Sequence, residues 1–473
     1  MDDKELAFTP AWQLRQWIGQ RKLSPVELVE MSLRRIETLN PKLNAFLTVC
    51  GDEALATAKL AEEQIIKGDA LGALHGIPVP IKDLNRTAGI RTTRGSLIFK
   101  DDVPDADDLV VARIRAAGAI ITGKTNTPEF GHRGTTENLL GEPCRNPWDT
   151  TRTPGGSSGG AAVSVASGLS SIAQGSDGGG SIRMPAGFCG VYGIKPTRGR
   201  VPGSYSGPGG WNVFGQAGPL SRTVRDAAFL LDAMAAPNPE NPMSILEEPP
   251  DFQAALNGGV RGLKMALVPN LGGMPVEPEV LAAVEAAAKR FSDMGAIMEE
   301  PDVTLDGMLL RESFRTIFIS DYSASLGWML DGHADELMPS MRTFLEDAVN
   351  WTVADLSRSL REMERLKGRM RELFSTYDVL LTPTTAVAAF PIEGWPDTIN
   401  GVSVDPRWAF TPFCYLFNMT GQPAASVPAG FTATGLPIGL HVVGRFGDEA
   451  TVLRVSAAFE EAQPWAAHRP PVS

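Results

Sequence analysis

The sequence predicts an α/β fold in which helices cover a β-sheet, and three observations carry that prediction. Helical and strand patterns alternate along most of the chain. Short apolar runs bounded by Gly and Pro read as buried strands. A Gly- and Ser-rich stretch over residues 150–218 is threaded with apolar segments, Ala161–Ala166 among them. A flexible linker has no reason to carry such segments. Dense glycine inside a folded region points instead to close backbone approach.

The elements follow in order. Ser24-Pro25-Val26-Glu27 is a capping box with Pro at the first helical position, and it opens an amphipathic helix to about residue 39. A second helix is expected over 52–67, a buried strand over 76–82, a helix over 107–117 and a short strand over 119–122. A helix over 223–236, a strand over 263–268 and a helix over 277–293 come next. A long helical stretch over about 305–374, broken near 332–339, reads as a cap-like region. Strands over 378–382, near 424–427 and near 438–443 precede a final helix over 448–462. No repeat or linker divides the chain, so residues 1–473 are expected to form one domain.

Composition narrows the function. The net charge of −12 argues against nucleic acid as a partner, since phosphate binding needs clustered Lys and Arg. Cys50, Cys144, Cys189 and Cys414 are scattered without a CxxC pair, the usage of a reducing compartment. The charged start lacks a secretory h-region, and no apolar run is long enough to span a membrane. A soluble cytoplasmic protein with no membrane partner is expected. The five histidines show no ligand spacing, so a zinc or iron site is not expected; the chemistry read below implies neither a metal nor an organic cofactor.

Two motifs match by letter only. Gly118–Thr125 fits the phosphate-loop pattern GxxxxGKT. Its four interior residues are apolar, however, and Pro128 follows closely, which opposes the required helix. Gly156-Ser157-Ser158-Gly159-Gly160 fits the GxSxG elbow, but the polar, proline-containing residues before it cannot form the buried strand that motif needs. No GxGxxG is present, which leaves a dinucleotide site without support.

The chemistry-bearing residues are two Gly-Ser clusters and one lysine. Ser157 and Ser181 stand 24 positions apart. A serine needs a base to become a nucleophile. Lys82 closes the apolar run Ile77–Ile81, and burial would lower its pKa enough for it to serve. Alone, Lys82 is better read as snorkelling to solvent or pairing with Asp83, and that reading loses ground only beside the two Gly-Ser clusters. Gly178, Gly179, Gly180 and Ser181 can present consecutive backbone N–H groups, a nest that binds an oxyanion. Asp177 and Arg183 flank that loop and can pair across it, or Arg183 can face the substrate.

These pieces resemble the amidase signature family. The resemblance runs through Gly76–Asp83, Gly123–Phe130, Gly155–Gly160, Gly175–Ala186, Gly193–Thr197, Gly218–Thr223 and Gly421–Ala424, nearly the whole chain. It implies a large mixed twisted sheet covered by helices on both faces. It also implies a Ser–cis-Ser–Lys triad: Ser181 as the acylated nucleophile, Ser157 as the relay on a cis bond to Gly156, and Lys82 as the base. Ser158 would hydrogen-bond within the site. Two departures, Pro80 and Gly178, leave the triad intact.

The implied reaction is hydrolysis of a carboxylic amide, with aryl carbamate or ester cleavage as the alternative. The aromatic residues Tyr205, Trp211 and Phe214 sit in a glycine-hinged segment and are read either as a substrate loop or as ordinary surface loop. Phe318, Tyr322, Trp328 and Met329 at helical spacing read as core, or as walls of a pocket for an apolar or aryl amide. A further alternative is the glutaminase component of a tRNA-dependent amidotransferase. Against it, the segment before Gly218 lacks the Leu-Asp-Gln run expected of that component. The expected partner is thus a small-molecule amide or carbamate, bound by a monomer or homodimer.

Overall fold

The computed structural model describes residues 2–203 and 213–473. Tyr205 and Trp211 lie outside the described residues. The capping box forms as the sequence predicts: Ser24 accepts from the backbone of Val26 and Glu27, and the Glu27 carboxylate accepts from Ser24 N–H. Its helix runs over Pro25–Leu43.

The strands are β1 (Phe46–Val49), β2 (Ile81–Lys82), β3 (Gly123–Thr125), β4 (Ile172–Asp177), β5 (Tyr192–Lys195) and β6 (Gln216–Ser221). The second half contributes β7 (Lys264–Leu267), β8 (Ile297–Glu299), β9 (Val379–Pro383), β12 (Ala424–Phe431) and β13 (Pro437–Gly444), with a small hairpin β10 (Thr398–Ile399) and β11 (Val402–Ser403) between them. Among the described residues, eleven strands make one sheet in the order β1-β3-β2-β4-β6-β5-β12-β13-β9-β7-β8. The β3–β2, β2–β4, β9–β7 and β7–β8 pairs are parallel and the others antiparallel, so the sheet is mixed.

Both faces are covered. Met265, Leu267, Val379 and Leu381 enter one hydrophobic core with the helices Val224–Met234 and Glu449–Ala462. The alternate residues Ala266 and Leu380 enter a second core with the helices Gly307–Leu326, Val353–Thr376 and Pro412–Thr420. This period-two partition is what a strand buried on both sides imposes.

Two expected strands differ from those observed. The 76–82 strand shrinks to β2, because Pro78 and Pro80 have no N–H to donate to a ladder. The 119–122 strand moves on to β3. Its residues still run beside 77–79, with Ile120 N–H donating to Ile77 O at 2.9 Å and Val79 N–H to Ile120 O at 2.8 Å. The Gly-Lys-Thr of the phosphate-loop match is therefore a strand: Lys124 is buried and donates to Thr87 Oγ1 at 2.8 Å and Thr92 Oγ1 at 2.9 Å.

The helical stretch at 305–374 resolves into Gly307–Leu326, Pro339–Glu346 and Val353–Thr376. The break is longer than expected and a second one follows Glu346.

Candidate active site

Three short segments converge at the edge of a cavity of about 300 Å³. Strand β2 delivers Lys82, the turn before helix Gly159–Ala166 delivers Ser157, and the turn after β4 delivers Ser181. Ser157 and Ser181 both line the cavity. The peptide between Gly156 and Ser157 is cis.

Lys82 is wholly buried, and its Nζ lies 2.7 Å from Ser157 Oγ. The same Nζ donates to Ser176 Oγ at 3.1 Å and to Ser176 O at 3.3 Å. A neutral amine has two N–H groups and one lone pair. Two bonds to Ser176 leave that lone pair free for the Ser157 hydroxyl. Burial pushes the lysine down to about 7, with the Asp177 charge pulling the other way.

The two serine loops are tied together. Ser158 N–H donates to Ser181 O at 3.1 Å, and Ser158 Oγ donates to Ser176 O at 3.0 Å. Ser158 thus bonds within the site.

Asp177 organises the nucleophile loop. Its carboxylate accepts from Gly180 N–H at 2.7 Å and Ile182 N–H at 3.1 Å. Arg183 clamps it with Nε at 2.9 Å and Nη2 at 2.8 Å. Burial works to raise the Asp177 carboxyl, but Arg183 and then Asn418 hold it well below the usual carboxylate range. Arg183 is itself wholly buried and also donates to Asn418 Oδ1 at 2.6 Å, to Cys414 O at 3.0 Å and to His441 Nε2 at 3.1 Å. Of the two placements open for Arg183, the structure therefore has the pairing one. Burial and the adjacent Arg183 push His441 well below its ordinary value, which keeps it a neutral acceptor.

Glycine is required where the loops meet. Gly180 has φ 121°, and a Cβ there would lie 2.6 Å from Cys414 Cβ. A Cβ on Gly156 would lie 2.4 Å from Thr135 O. The N–H of Gly180 is held by Asp177, so this residue shapes the nest and does not face the cavity as a donor. Gly178 and Ser181 line the cavity.

Among the aromatic candidates, Phe318 and Tyr322 wall the cavity, while Met329 is core and Trp328 is half exposed. Phe214 is corrected to a core residue. It is fully buried and stacks on Phe314 with ring centroids 5.4 Å apart, because the aromatic cluster on helix Gly307–Leu326 draws it inward. Its neighbours Val213 and Gly215 reach the cavity instead.

Sequence reasoning missed Ser176 and Asn418. Ser176 sits inside the quoted Gly175–Ala186 motif, but its seat against Lys82 depends on β4 lying beside β2. Asn418 lies in Pro412–Thr420, a helix buried on every side and so without an amphipathic stripe to mark it.

Comparison with known proteins agrees with this geometry. The family model described as Amidase matches residues 27–453. An acylamidase of Rhodococcus erythropolis is 36% identical over 99% of this chain and 98% of its own length. The glutamyl-tRNA(Gln) amidotransferase A-subunit of Carboxydothermus hydrogenoformans is 35% identical over 97% of this chain and 98% of its own. The crystal structure of a bacterial aryl acylamidase of the amidase signature family superposes with a TM-score of 0.91 at 32% identity, covering 98% of this chain and 99% of that one. The chain belongs to the amidase signature family. It is a hydrolase acting on amide carbon–nitrogen bonds.

Proposed function

We propose that this protein hydrolyses small apolar or aryl amides through an acyl-enzyme on Ser181. The observation that carries the reading is the 2.7 Å contact between a fully buried Lys82 and Ser157, at the rim of a cavity that Ser181 also lines.

Ser181 Oγ attacks the carbonyl carbon while its proton passes to Ser157 and the Ser157 proton passes to neutral Lys82. The carbonyl oxygen gathers negative charge against backbone N–H groups of Gly178, Gly179 and Ser181. Gly180, Asp177 and Arg183 keep that loop in shape. The proton returns by the same route to the nitrogen as the C–N bond breaks and the amine leaves. Water, deprotonated through the relay, then attacks the acyl carbon and frees Ser181. The residues alone carry these steps, with no cofactor.

Phe318, Tyr322 and Phe130 on the cavity wall support an aryl or apolar substrate, and the acylamidase relatives support an amide. Four buried, unpaired cysteines favour a cytoplasmic setting. In this reading the chain works without a nucleic-acid or membrane partner, as a monomer or homodimer.

A glutaminase role is the second reading, favoured by the likeness to glutamyl-tRNA(Gln) amidotransferase chains. The purified chain should be assayed on aliphatic amides, anilides, aryl carbamates, aryl esters and glutamine. Faster turnover of anilides than of glutamine is expected. Turnover of glutamine alone would overturn the proposal, and a preference for carbamates would move the substrate class while keeping the triad.

A further inference from the structure

Helix Gly307–Leu326 presents one stripe to the active-site cavity: Phe318, Asp321, Tyr322, Ser325 and Leu326. These positions recur at three- and four-residue spacing, so they share one face. Three of the five are apolar or aromatic, and the Tyr322 hydroxyl is already committed to Phe130 O at 2.9 Å. Asp321 and Ser325 are the polar groups left on this wall.

Asp321 is out of place for a structural carboxylate. Neither surface solubility nor an ion pair explains it: it faces the cavity, and no lysine or arginine among the described residues pairs with it. Two other cations at the cavity are already paired, Arg94 with Asp102 at 3.4 Å and Arg86 with Asp105 at 3.0 Å. Arg198 has no carboxylate partner among the described residues: its Nη2 donates to the carbonyls of Asn418 and Met419, and its buried Nε is left without an acceptor. Burial pushes the Asp321 carboxyl up to about 6, with the Val213 backbone N–H opposing. A group that strains to ionise in an apolar wall gains most from an incoming cation.

We propose that Asp321 is a specificity residue that selects amides carrying an ammonium group on the part of the substrate lodged against Phe318 and Tyr322. The ammonium takes the place of the missing counter-charge, and Ser325, one turn on, can accept a second of its hydrogens. This inference rests on the amidase reading above.

The test compares isosteric substrate pairs. One pair places the charge on the amine side, 4-(aminomethyl)acetanilide against 4-ethylacetanilide. The other places it on the acyl side, 5-aminopentananilide against hexananilide. In one of the pairs kcat/KM is expected to favour the ammonium member about tenfold or more, and Asp321→Asn is expected to bring that ratio close to one. Equal rates within both pairs for the unaltered enzyme would overturn the inference while leaving the amidase reading intact. So would an Asp321→Asn variant that slows both members alike, which would make Asp321 only an anchor for Val213. A preference for a carboxylate-bearing analogue would overturn it in favour of Arg198. Failure to cleave any anilide would instead strike at the amidase reading itself. Because the ratio is read first on the unaltered protein, a variant that does not fold leaves the test standing.

Discussion

Lys82 Nζ lies 2.7 Å from Ser157 Oγ with the entire lysine side chain withdrawn from solvent. Burial lowers the lysine to about 7, so the neutral base is available near neutral pH. A base must be unprotonated, so kcat/KM on a neutral amide should rise with pH through an apparent value near 7 and level off above it. A flat profile between pH 6 and 9 would contradict this role. Lys82→Ala should cost about 10²–10⁴-fold in kcat and leave the circular dichroism spectrum unchanged.

Arg183 and Asp177 form a wholly buried ion pair. Removing one partner leaves the other charge uncompensated, at about 3–5 kcal/mol. Arg183→Met should therefore lower the urea midpoint markedly. It should also reduce kcat more than it raises KM, because Asp177 holds the Gly180 and Ile182 N–H groups of the nucleophile loop. An unchanged midpoint would show that the pair does not hold the loop.

Gly156 has Thr135 backbone on the side where a Cβ would project, with the carbonyl oxygen 2.4 Å away. Gly156→Ala must push two backbones apart and carry Ser157 with them. A displacement of about 1 Å at a reacting group costs about 10²-fold in rate. Kinetics on the purified variant check this, and full activity would refute the packing argument.

Glu460 accepts Val224 N–H at 3.0 Å, and burial pushes its carboxyl up to about 7. A raised carboxyl binds its proton better in the folded state. Its contribution is therefore full below the ordinary value near 4.5 and is lost as pH rises through about 7. Glu460→Gln should flatten the fall in stability between pH 5 and 8 by on the order of 1–3 kcal/mol. Urea titrations of both proteins at the two pH values measure it. Identical slopes would contradict the burial of this group.

Much of this molecule is legible in its sequence, and the gaps have physical causes. The capping box at Ser24 and the amphipathic helices announce themselves because one face is wet. Helix Pro412–Thr420 has no wet face, so its pattern is silent, and Asn418 with it. Lys82 could be singled out as a buried base only when the apolar run before it was taken together with the two Gly-Ser clusters, and its contacts to Ser176 arise from the pairing of β2 with β4. Glycine count alone could not assign roles to the two Gly-Ser clusters. The resemblance to the amidase signature family, at its 24-residue spacing, separated relay from nucleophile, whereas the holding of Gly180 N–H by Asp177 emerges only in three dimensions. Phe214 misled for the converse reason, since an aromatic in a glycine-rich segment reads as a loop residue until its stacking partner Phe314 is in view.

In the proposed reaction Ser181, activated through Ser157 and Lys82, is the residue that becomes acylated. Peptide mass spectrometry after reaction with an alkyl fluorophosphonate identifies that residue. A single adduct is expected on Ser181, disappearing in Ser181→Ala and forming at least about 10²-fold more slowly in Lys82→Ala. An adduct on Ser157 or Ser158, with Ser181 unmodified, would contradict it.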